Sequence, residues 1–378
     1  MRIAAVGDVM LGDSSNCLGF GVASYMAQNG ADVLLRSLQS VLPAADLFIG
    51  NLECPVGGFQ YPPTDFHRDQ FLGDPAGLTA LAATGKWVMN VANNHMLQHG
   101  SGVFHDTVAL LRSHGIGVVG LSGQNSGQPW ISECPGVRLA VFGCSLRPET
   151  RASAPLPYLC FAHADDLRTW IESQIRQLES PSCDEPARTV VVLSIHWGAE
   201  FVDLPAPSQL QLAEQLFESG VDVILGHHPH VLQGIAIRGS KIAAFSLGNF
   251  VFDLWRQQTR RSAVLELGFC ANGCADQVSV RPVFINRHGL PEARSSLHVA
   301  GGNWGCRLVD LAQLKRDAGS DEVGYWKRAA RAEFLNALHN RLHFFLSFPR
   351  YPAQVRWAAL LAFVQRRLRQ HAPGLDRR

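Results

Sequence analysis

Short apolar runs alternate with amphipathic segments along the first 250 residues of the chain. The runs are rich in β-branched residues, whereas the segments between them repeat apolar residues at helical spacing. Eight strands are predicted in this way, at residues 3–6, 47–50, 87–91, 117–119, 139–142, 190–195, 221–225 and 242–246. Five helices are predicted between them, at residues 33–42, 77–83, 107–114, 165–178 and 208–219. This alternation indicates an α/β domain with buried, largely parallel strands.

The pattern changes beyond residue 250. Residues 263–269 and 277–285 are typical of two strands around a turn, which predicts an antiparallel addition to the sheets. From about residue 308 the chain becomes helical, with helices predicted at 326–345 and 351–369 on either side of a segment that contains Pro349 and Pro352. We therefore predict one domain over residues 1–300 and a C-terminal helical extension over residues 301–378.

Composition narrows the function classes. The 378 residues are 47% hydrophobic and 17% charged, which is typical of a globular chain. The formal net charge of +1 gives no positive electrostatic field that would attract nucleic acid, so no nucleic-acid partner is expected. No apolar run is long enough for a signal peptide or a membrane span, and the nine cysteines are dispersed. These features predict a cytoplasmic protein.

Polar side chains follow six of the predicted strands, at the point where each strand ends. Ligands of open α/β sheets bind outside the carboxyl ends of the strands, so these side chains are expected at one edge. They are carboxylates, amides and imidazoles, and the main ones are Asp8, Glu53, Asn93, Asn94, His95, His196, His227, His228, His230 and Asn249.

Each of these residues alone has an ordinary explanation. Asp8 could cap a helix, Asn93 and Asn94 could form a turn, and His196 could be a hydrogen-bonded core residue. Together they favour a metal site, because imidazole and carboxylate are ligands of zinc, manganese and iron. On an extended segment, residues i and i+2 point the same way, so His228-Pro229-His230 could serve two adjacent ions. We predict a divalent transition metal (Mn, Zn or Fe), as one or two ions.

The motifs that carry these residues resemble the CapA family of bacterial capsule and poly-γ-glutamate synthesis, itself similar to the calcineurin-like metallophosphoesterases. The resemblance covers roughly residues 1–285 and implies an αββα sandwich of two mixed sheets with a two-metal site at the strand ends. The motifs are Gly7-Asp8-Val9-Met10-Leu11-Gly12, Gly50-Asn51-Leu52-Glu53, Ala92-Asn93-Asn94-His95, His196-Trp197-Gly198-Ala199-Glu200, Gly226-His227-His228-Pro229-His230 and Ser246-Leu247-Gly248-Asn249-Phe250.

The resemblance also implies roles for individual residues. Asp8 corresponds to a ligand of the first metal, Glu53 to the bridging carboxylate, and Asn94 and His196 to ligands of the second metal. His228 and His230 correspond to a closing pair, one for each metal, and His95 to the group that protonates the leaving group. The remaining polar residues are predicted to bind substrate: Asn51, Asn93, Glu200, His227 and Asn249.

Two positions depart from the metallophosphoesterase pattern. Met10 stands where a histidine is usual, and Glu53 stands where the bridging residue is usually aspartate. The loss of an imidazole weakens the expected first metal site. A single metal held by Asn94, His196 and His228, with help from Glu53, is therefore the conservative prediction.

Two functions follow from this resemblance. The first is a metal-dependent hydrolase or transferase, in which water activated by metal attacks a phosphoester or an amide such as a γ-glutamyl bond. Its substrate would be an anionic polymer or a phosphoester. The second is a non-catalytic accessory subunit of a capsule or poly-γ-glutamate synthase complex. A phosphatase unconnected to polymers is a weaker third hypothesis.

The C-terminal helix also has two interpretations. Residues 350–378 contain seven arginines and one acid around a strongly apolar stretch. The helix could lie on an anionic membrane, which would make the protein peripheral to the inner membrane. It could instead pack on the α/β body with its arginines in solvent. The apolar character of the helix favours packing on the body.

Overall fold

The computed structural model describes residues 1–123, 127–134, 136–147, 155–178, 188–270, 273–293 and 308–370, except for the side chains of 366–370. Two β-sheets lie face to face, and helices cover the outer side of each. This arrangement is the predicted αββα sandwich, followed by the predicted helical extension.

The first sheet has the order β14-β13-β12-β1-β2-β3-β4, with β11 also paired to β1. Strands β1 to β4 run parallel, and β12 to β14 add antiparallel strands to one side. The strands are β1 (Arg2–Val9), β2 (Leu47–Leu52), β3 (Trp87–Asn90), β4 (Gly117–Val119), β11 (Asn249–Val251), β12 (Arg261–Phe269), β13 (Ala275–Ile285) and β14 (Pro291–Glu292).

The second sheet has the order β15-β9-β10-β8-β7-β6-β5, and its central strands β6, β7, β8 and β10 are parallel. Its strands are β5 (Trp130–Cys134), β6 (Val137–Ser145), β7 (Arg188–His196), β8 (Val223–His227), β9 (Ile235–Arg238), β10 (Lys241–Ala244) and β15 (Leu308–Asp310).

Ten α-helices occur in the described residues. Helices α1, α2, α4 and α5 pack on the first sheet, and α6, α7 and α8 pack on the second. The helices are α1 (Val22–Asn29), α2 (Asp32–Val41), α3 (Phe66–Asp69), α4 (Pro75–Ala82), α5 (Gly100–Ser113), α6 (Ala164–Leu178), α7 (Pro207–Glu218), α8 (Leu311–Ala318), α9 (Glu322–Ser347) and α10 (Ala353–Gln370).

The strands are apolar on both faces because each face is covered. On β1, Ile3 and Ala5 enter the core between the sheets, whereas Ala4 and Val6 pack against the helices. The same alternation on β7 places Val190 and Val192 between the sheets and their neighbours under the helices. A buried strand therefore reads as a continuous apolar run, and this is why the sequence pattern located it.

All eight predicted strands and all five predicted helices of the first 250 residues overlap observed elements, and the predicted antiparallel pair is β12 and β13. The pattern missed β5, β9, β11, β14 and β15. The last three have only two or three residues, too few to show a period.

The extension begins beside the sandwich. The predicted boundary at residues 300 and 301 falls outside the described residues, as do Arg377 and Arg378, and the division into two domains stays a prediction. Strand β15 pairs with β9, and Leu311 and Leu314 of α8 pack in the core of the second sheet. Among the described helices, none combines the length and the apolar character needed to cross a bilayer.

Two glycines allow the backbone to pack closely at the strand ends. Gly7 precedes Asp8, and a Cβ at Gly7 would overlap the carbonyl oxygen of Gly248. Gly226 precedes His227, and a Cβ there would overlap the carbonyl oxygen of Phe245. These close approaches hold the ends of β1 and β8 against residues 245–248.

We expect Gly226→Ala to lower the free energy of unfolding by about 1–3 kcal/mol, the usual cost of overpacking a core. Urea denaturation measures the change. Gly102→Ala in α5 is the matched control, because nothing lies within 4 Å of a Cβ at that position. The control should be neutral or up to about 1 kcal/mol more stable than wild type. Equal stability of Gly226→Ala and wild type would contradict the close approach.

Candidate metal centre

Six side chains at the strand ends form three overlapping groups of possible metal ligands. Within each group the ligand atoms lie within 4.8 Å of one another. Glu53, His228 and His230 each belong to two groups. The groups are Asp8–Glu53–His230, Glu53–His196–His228 and Glu200–His228–His230.

Strand register brings these side chains together. Asp8, near the end of β1, pairs with Asn51 of β2, and Glu53 follows directly where β2 ends. In the second sheet His196 and His227 are the last residues of β7 and β8 and lie opposite each other. The carboxyl ends of parallel strands from both sheets therefore meet at one edge, as the strand-end rule predicts.

The His230 imidazole lies between two buried carboxylates. Its Nδ1 is 3.4 Å from Asp8 Oδ2, and its Nε2 is 3.5 Å from Glu53 Oε1. Glu53 Oε1 also lies 3.9 Å from His196 Nε2, and Asp8 Oδ1 lies 3.2 Å from His227 Nδ1. Glu53 thus faces imidazoles of two ligand groups, which suits a carboxylate that bridges two ions.

The loop after β8 has an unusual backbone. His228 has a φ of 97° and His230 a φ of 56°, both in the left-handed region that non-glycine residues rarely adopt. The expectation of an extended His228-Pro229-His230 segment is therefore wrong. A tight turn brings both rings into the cluster, with centroids 6.0 Å apart. Strained residues of this kind concentrate at functional sites.

Asn94 and His95 both reach the cluster, because their segment is a turn and not an extended strand. Asn94 Oδ1 is 2.9 Å from His196 Nε2. His95 Nε2 is 4.0 Å from Glu53 Oε1, its Nδ1 is 3.2 Å from Gln98 Oε1, and its ring stacks on Phe71. The His95 side chain is 21% exposed, whereas those of His196, His227 and His230 are at most 5% exposed. His95 therefore lies at the opening of the cluster.

Several buried polar atoms of the cluster have no hydrogen-bond partner within the described residues. They are Glu53 Oε1, His196 Nδ1 and both ring nitrogens of His228. An unsatisfied buried polar group costs roughly 1–3 kcal/mol, and more when it is charged. A divalent cation would bind the Glu53 oxygen and one nitrogen of each imidazole, which are ligand types that zinc, manganese and iron prefer. The residues therefore fit a metal.

The pKa values of the cluster show how unfavourable it is without a cation. Burial and the charge of Asp8 hold the pKa of Glu53 well above its usual range. Burial also raises the pKa of Asp8, but His227 and His230 outweigh it and leave that pKa well below its usual value. Burial lowers the pKa of His230, but Glu53 and Asp8 raise it to about 10. Asp8 and Glu53 thus resist carrying charge together.

Three other imidazoles, those of His95, His196 and His228, are held in the neutral form. Burial keeps the pKa of His196 and of His228 well below the usual value and lowers the pKa of His95 to about 4. Neutral imidazole is the form that binds a metal. His196 and His228 are therefore ready to act as ligands at neutral pH.

Asn51 and Asn93 position the carboxylates. The Asn51 amide donates to Asp8 Oδ1 at 2.9 Å and to Glu53 Oε2 at 3.3 Å, and Asn93 donates to Asn51 Oδ1 at 3.1 Å. Both asparagines are completely buried. Their amides are engaged inside the protein, and the substrate-binding role expected for them stays a prediction.

Asn249, His227 and Glu200 were also predicted to bind substrate. Asn249 Oδ1 lies 2.9 Å from His230 Nδ1, and both Asn249 and His227 are buried. Asn249 contacts His230 and His227 contacts Asp8, and the substrate-binding role expected for both stays a prediction. Glu200 is half-buried and belongs to a ligand group with His228 and His230, and burial raises its pKa.

Met10 offers nothing to the cluster. Its side chain packs in the core beneath the helices of the first sheet, and its sulfur accepts a hydrogen bond from the Gly12 amide at 3.1 Å. The Asp8–Glu53–His230 group therefore contains a single imidazole.

The sequence pattern overlooked some residues at the opening. Arg147 is exposed two residues beyond the end of β6. Its charge partly opposes the burial that raises the pKa of Glu200 and adds to the burial that lowers the pKa of His228. The strand-end rule could have found it. Phe71 and Phe201 border His95 and His230 with φ values of 54° and 64°, which no sequence signal reveals.

The fold and its edge define a class of protein: an αββα sandwich whose strand ends gather a buried carboxylate–imidazole cluster suited to one or two divalent cations. Residues 2–254 match the family described as "Bacterial capsule synthesis protein PGA_cap". The chain belongs to this family.

Alignments with two named relatives cover more of the chain than the family match does. It is 29% identical over 285 residues to "Capsule biosynthesis protein CapA" of Bacillus anthracis, covering 73% of this chain and 65% of that protein. It is 28% identical over 289 residues to "PGA biosynthesis protein CapA" of Bacillus subtilis (strain 168), covering 74% and 70%. The chain thus spans about two thirds of the length of these relatives.

Two solved structures are similar at low identity. A hypothetical protein from Thermus thermophilus is 16% identical, with a TM-score of 0.43 that covers 75% of this chain and 98% of that one. A 5'-nucleotidase precursor from the same organism is 12% identical, with a TM-score of 0.40 that covers 77% and 56%. TM-scores this low do not establish a shared fold, so the fold is assigned from the strands and helices of this chain alone.

We expect purified protein to carry a transition metal and the double variant His228→Ala/His230→Ala to lose it, because the two imidazoles take part in all three ligand groups. Elemental analysis after growth in metal-supplemented medium measures the content. His114→Ala/His288→Ala removes two imidazoles outside these groups and should keep the metal. Equal metal in the two double variants, or none in wild type, would rule out a metal centre.

A second carboxylate pair lies beside the centre and ties two of its loops together. Asp13 accepts hydrogen bonds from the Gly19 and Ser24 amides, and Asp253 accepts one from the Ser14 amide. Burial raises the pKa of Asp13 to about 6, and burial together with Asp13 raises the pKa of Asp253 to about 7. The native state therefore binds protons more tightly here than the unfolded chain does.

The raised pKa values of Asp13 and Asp253 stabilise the native state below about pH 4, where both carboxyl groups are protonated. This contribution to the free energy of unfolding is lost as the pH rises through about 6 to 7. We expect Asp253→Asn to be more stable than wild type at pH 8 by at least about 1 kcal/mol, since one pKa unit corresponds to about 1.4 kcal/mol. Urea denaturation from pH 4 to pH 8 tests this. Asp106→Asn, on the exposed face of α5, is the control and should follow wild type. A parallel shift of both variants would refute the assignment.

Proposed function

We propose that the protein is a metal-dependent hydrolase or transferase that acts on a phosphoester or an amide bond in the synthesis of a capsule or of poly-γ-glutamate. The observation that carries the proposal is Glu53 Oε1, a buried carboxylate oxygen that two ligand groups share and that has no hydrogen-bond partner among the described residues. Membership of the capsule synthesis family and the names of the two Bacillus relatives support the polymer context.

Two adjacent groups of side chains could each bind a metal ion, and we call them the first and the second metal place. Asp8, Glu53 and His230 would hold one ion, and Glu53, His196 and His228 the other, with Asn94 beside the second. Metal bound there supplies Lewis acidity for the attack of water or a hydroxyl group on a phosphorus or carbonyl centre. The second place has two imidazoles against one in the first, so we expect it to bind more tightly.

His95 is suited to assist the leaving group. It lies at the opening of the cluster, Gln98 fixes the direction of its ring, and Phe71 supports one face. A neutral imidazole still carries one N–H, which can hydrogen-bond to the departing oxygen or nitrogen. His95 thus has both the access and the fixed orientation that this role requires.

The opening suits an anionic substrate. Arg147 lies near Glu200 and His228, and the Arg256 guanidinium lies 5.8 Å from the centre of the Phe201 ring. Two cations beside a metal centre attract phosphate or carboxylate groups. We infer that the substrate is a phosphoester or an anionic polymer.

A second candidate is a non-catalytic accessory subunit of a polymer synthase complex. The buried Met10 favours it, because the first metal place lacks one imidazole. A relative named "Probable polyglutamine synthesis accessory protein MT0602", from Mycobacterium tuberculosis, is 27% identical in an alignment of 191 residues that covers 47% of this chain. In this case the centre would bind metal or an acidic polymer without turnover.

We expect His95→Asn to keep its metal and to lose about 10²–10³-fold in turnover of substrates with poor leaving groups, which is the usual cost of removing a hydrogen-bond donor aimed at developing charge. A nitrophenyl ester should slow less, because its leaving group needs little stabilisation. The assays are hydrolysis of a phosphomonoester, a phosphodiester and poly-γ-glutamate with Mn²⁺ or Zn²⁺, together with elemental analysis.

His99→Asn is the matched control: His99 lies in the same segment, but its Nε2 faces the Gln70 carbonyl and it is in none of the ligand groups. Loss of metal in His95→Asn, or equal slowing of both classes of substrate, would disprove the role of His95. Metal-loaded wild type without turnover of any substrate would favour the accessory subunit.

A further inference from the structure

The exposed apolar side chains of the protein are concentrated on two helices. Of the thirteen large hydrophobic residues that are exposed in the described part of the chain, only Tyr61 and Leu308 lie elsewhere. The eleven others are on α9 and α10: Val323, Trp326, Phe334, Leu335, Leu338, Leu342, Phe345, Leu346, Trp357, Leu361 and Val364. An apolar surface of this extent marks an interaction site.

Packing on the body does not account for this surface. Near its start, α9 buries Tyr325 and Ala329 against the loop that follows β7, and near its end it buries Phe344 against Leu18 and Phe66. In α10, Val355, Ala359 and Ala362 are buried. Both helices therefore dock on the body with one face, as predicted for the C-terminal helix, and leave a second apolar face uncovered.

The second face forms a continuous stripe. On α9 it starts with Lys327 and Arg331 and continues through Phe334, Leu338 and Leu342, at steps of three or four residues. On α10, Trp357, Leu361 and Val364 follow the same spacing. The Phe345 ring, 58% exposed, lies 5.1 Å from the half-buried Phe363 ring, so α10 packs directly beside the stripe of α9.

Charge identifies the partner. Residues 322–370 contain nine basic residues and two acids, Glu322 and Glu333. The Glu322 carboxylate accepts hydrogen bonds from Ser208 and Trp326, and the charge of Glu333 raises the pKa of Glu200 at the metal centre. The Glu322 carboxylate thus faces the body, whereas Lys327 and Arg331 are exposed on the outer stripe, where basic residues outnumber acids.

We propose that α9 and α10 form a docking surface for an anionic lipid bilayer. The apolar stripe enters the boundary between headgroups and acyl chains, and Lys327 and Arg331 contact the headgroups. A second copy of the chain fits less well, because a two-fold axis through this face would bring the basic residues of both copies together. The inner face of α9 borders the strand ends, so the metal centre lies on the membrane side of the protein.

Sedimentation of the full chain with vesicles tests the proposal without any catalytic assay, so its outcome is independent of the proposed function. The vesicles are phosphatidylcholine alone and an equal mixture with phosphatidylglycerol. Wild type should bind the mixture, bind neutral vesicles far less, and bind more weakly at high salt. Lys327→Gln/Arg331→Gln should lower the partition coefficient about 30-fold at low salt, since each basic residue contributes about fivefold.

Leu338→Ser/Leu342→Ser/Trp357→Ser should lower the partition coefficient at least about tenfold. The controls are Tyr61→Ser, an exposed aromatic residue outside both helices, and Arg36→Gln/Arg112→Gln, two exposed cations on α2 and α5. Each control should bind like wild type, and the thermal midpoints of all variants should agree. No vesicle binding by wild type, equal binding to both kinds of vesicle, or a stable dimer in light scattering that the serine variant abolishes would overturn the proposal.

Discussion

The strand-end edge depends on one arrangement: a single imidazole, His230, placed between two buried carboxylates. Asp8 lies 3.4 Å from one of its nitrogens and Glu53 lies 3.5 Å from the other. Two like charges cannot both be ionised in so dry a place unless positive charge lies between them. The imidazole compensates one carboxylate, and Glu53 Oε1 stays without a hydrogen-bond partner among the described residues. A divalent cation would complete the balance, so the cluster fits a metal site.

The surrounding backbone serves this arrangement. Gly7 and Gly226 let the ends of β1 and β8 pass against residues 245–248, and the left-handed turn at His228 brings the imidazoles into reach. Asn51 joins the two carboxylates by donating to both. The stability lost to a strained turn and to buried carboxylates is offset by the two sheets, whose shared core is apolar.

The sequence predicted the parts that follow from strand position. The ends of β1, β2, β7 and β8 could be read from apolar runs, and the ligands at these ends followed from the rule for open sheets. The roles of the buried asparagines could not be read, because an amide after a strand looks the same whether it faces a substrate or a neighbouring carboxylate. The turn at His228 was also hidden, since positive φ has no signature outside glycine and asparagine.

Helix α9 shows why the extension was harder to interpret than the sandwich. It is apolar on two faces, so its pattern has no single stripe that distinguishes a docked helix from a membrane-surface helix. Its inner face meets the loop after β11, where Arg256 donates to Asn336 and Trp255 stacks on His343 at 4.8 Å. That loop directly follows strand β11, whose first residue, Asn249, contacts His230. The helix that carries the basic apolar surface is therefore joined through one short loop to the imidazole on which the centre depends, so a partner bound to its outer face would act on an element that supports the metal ligands.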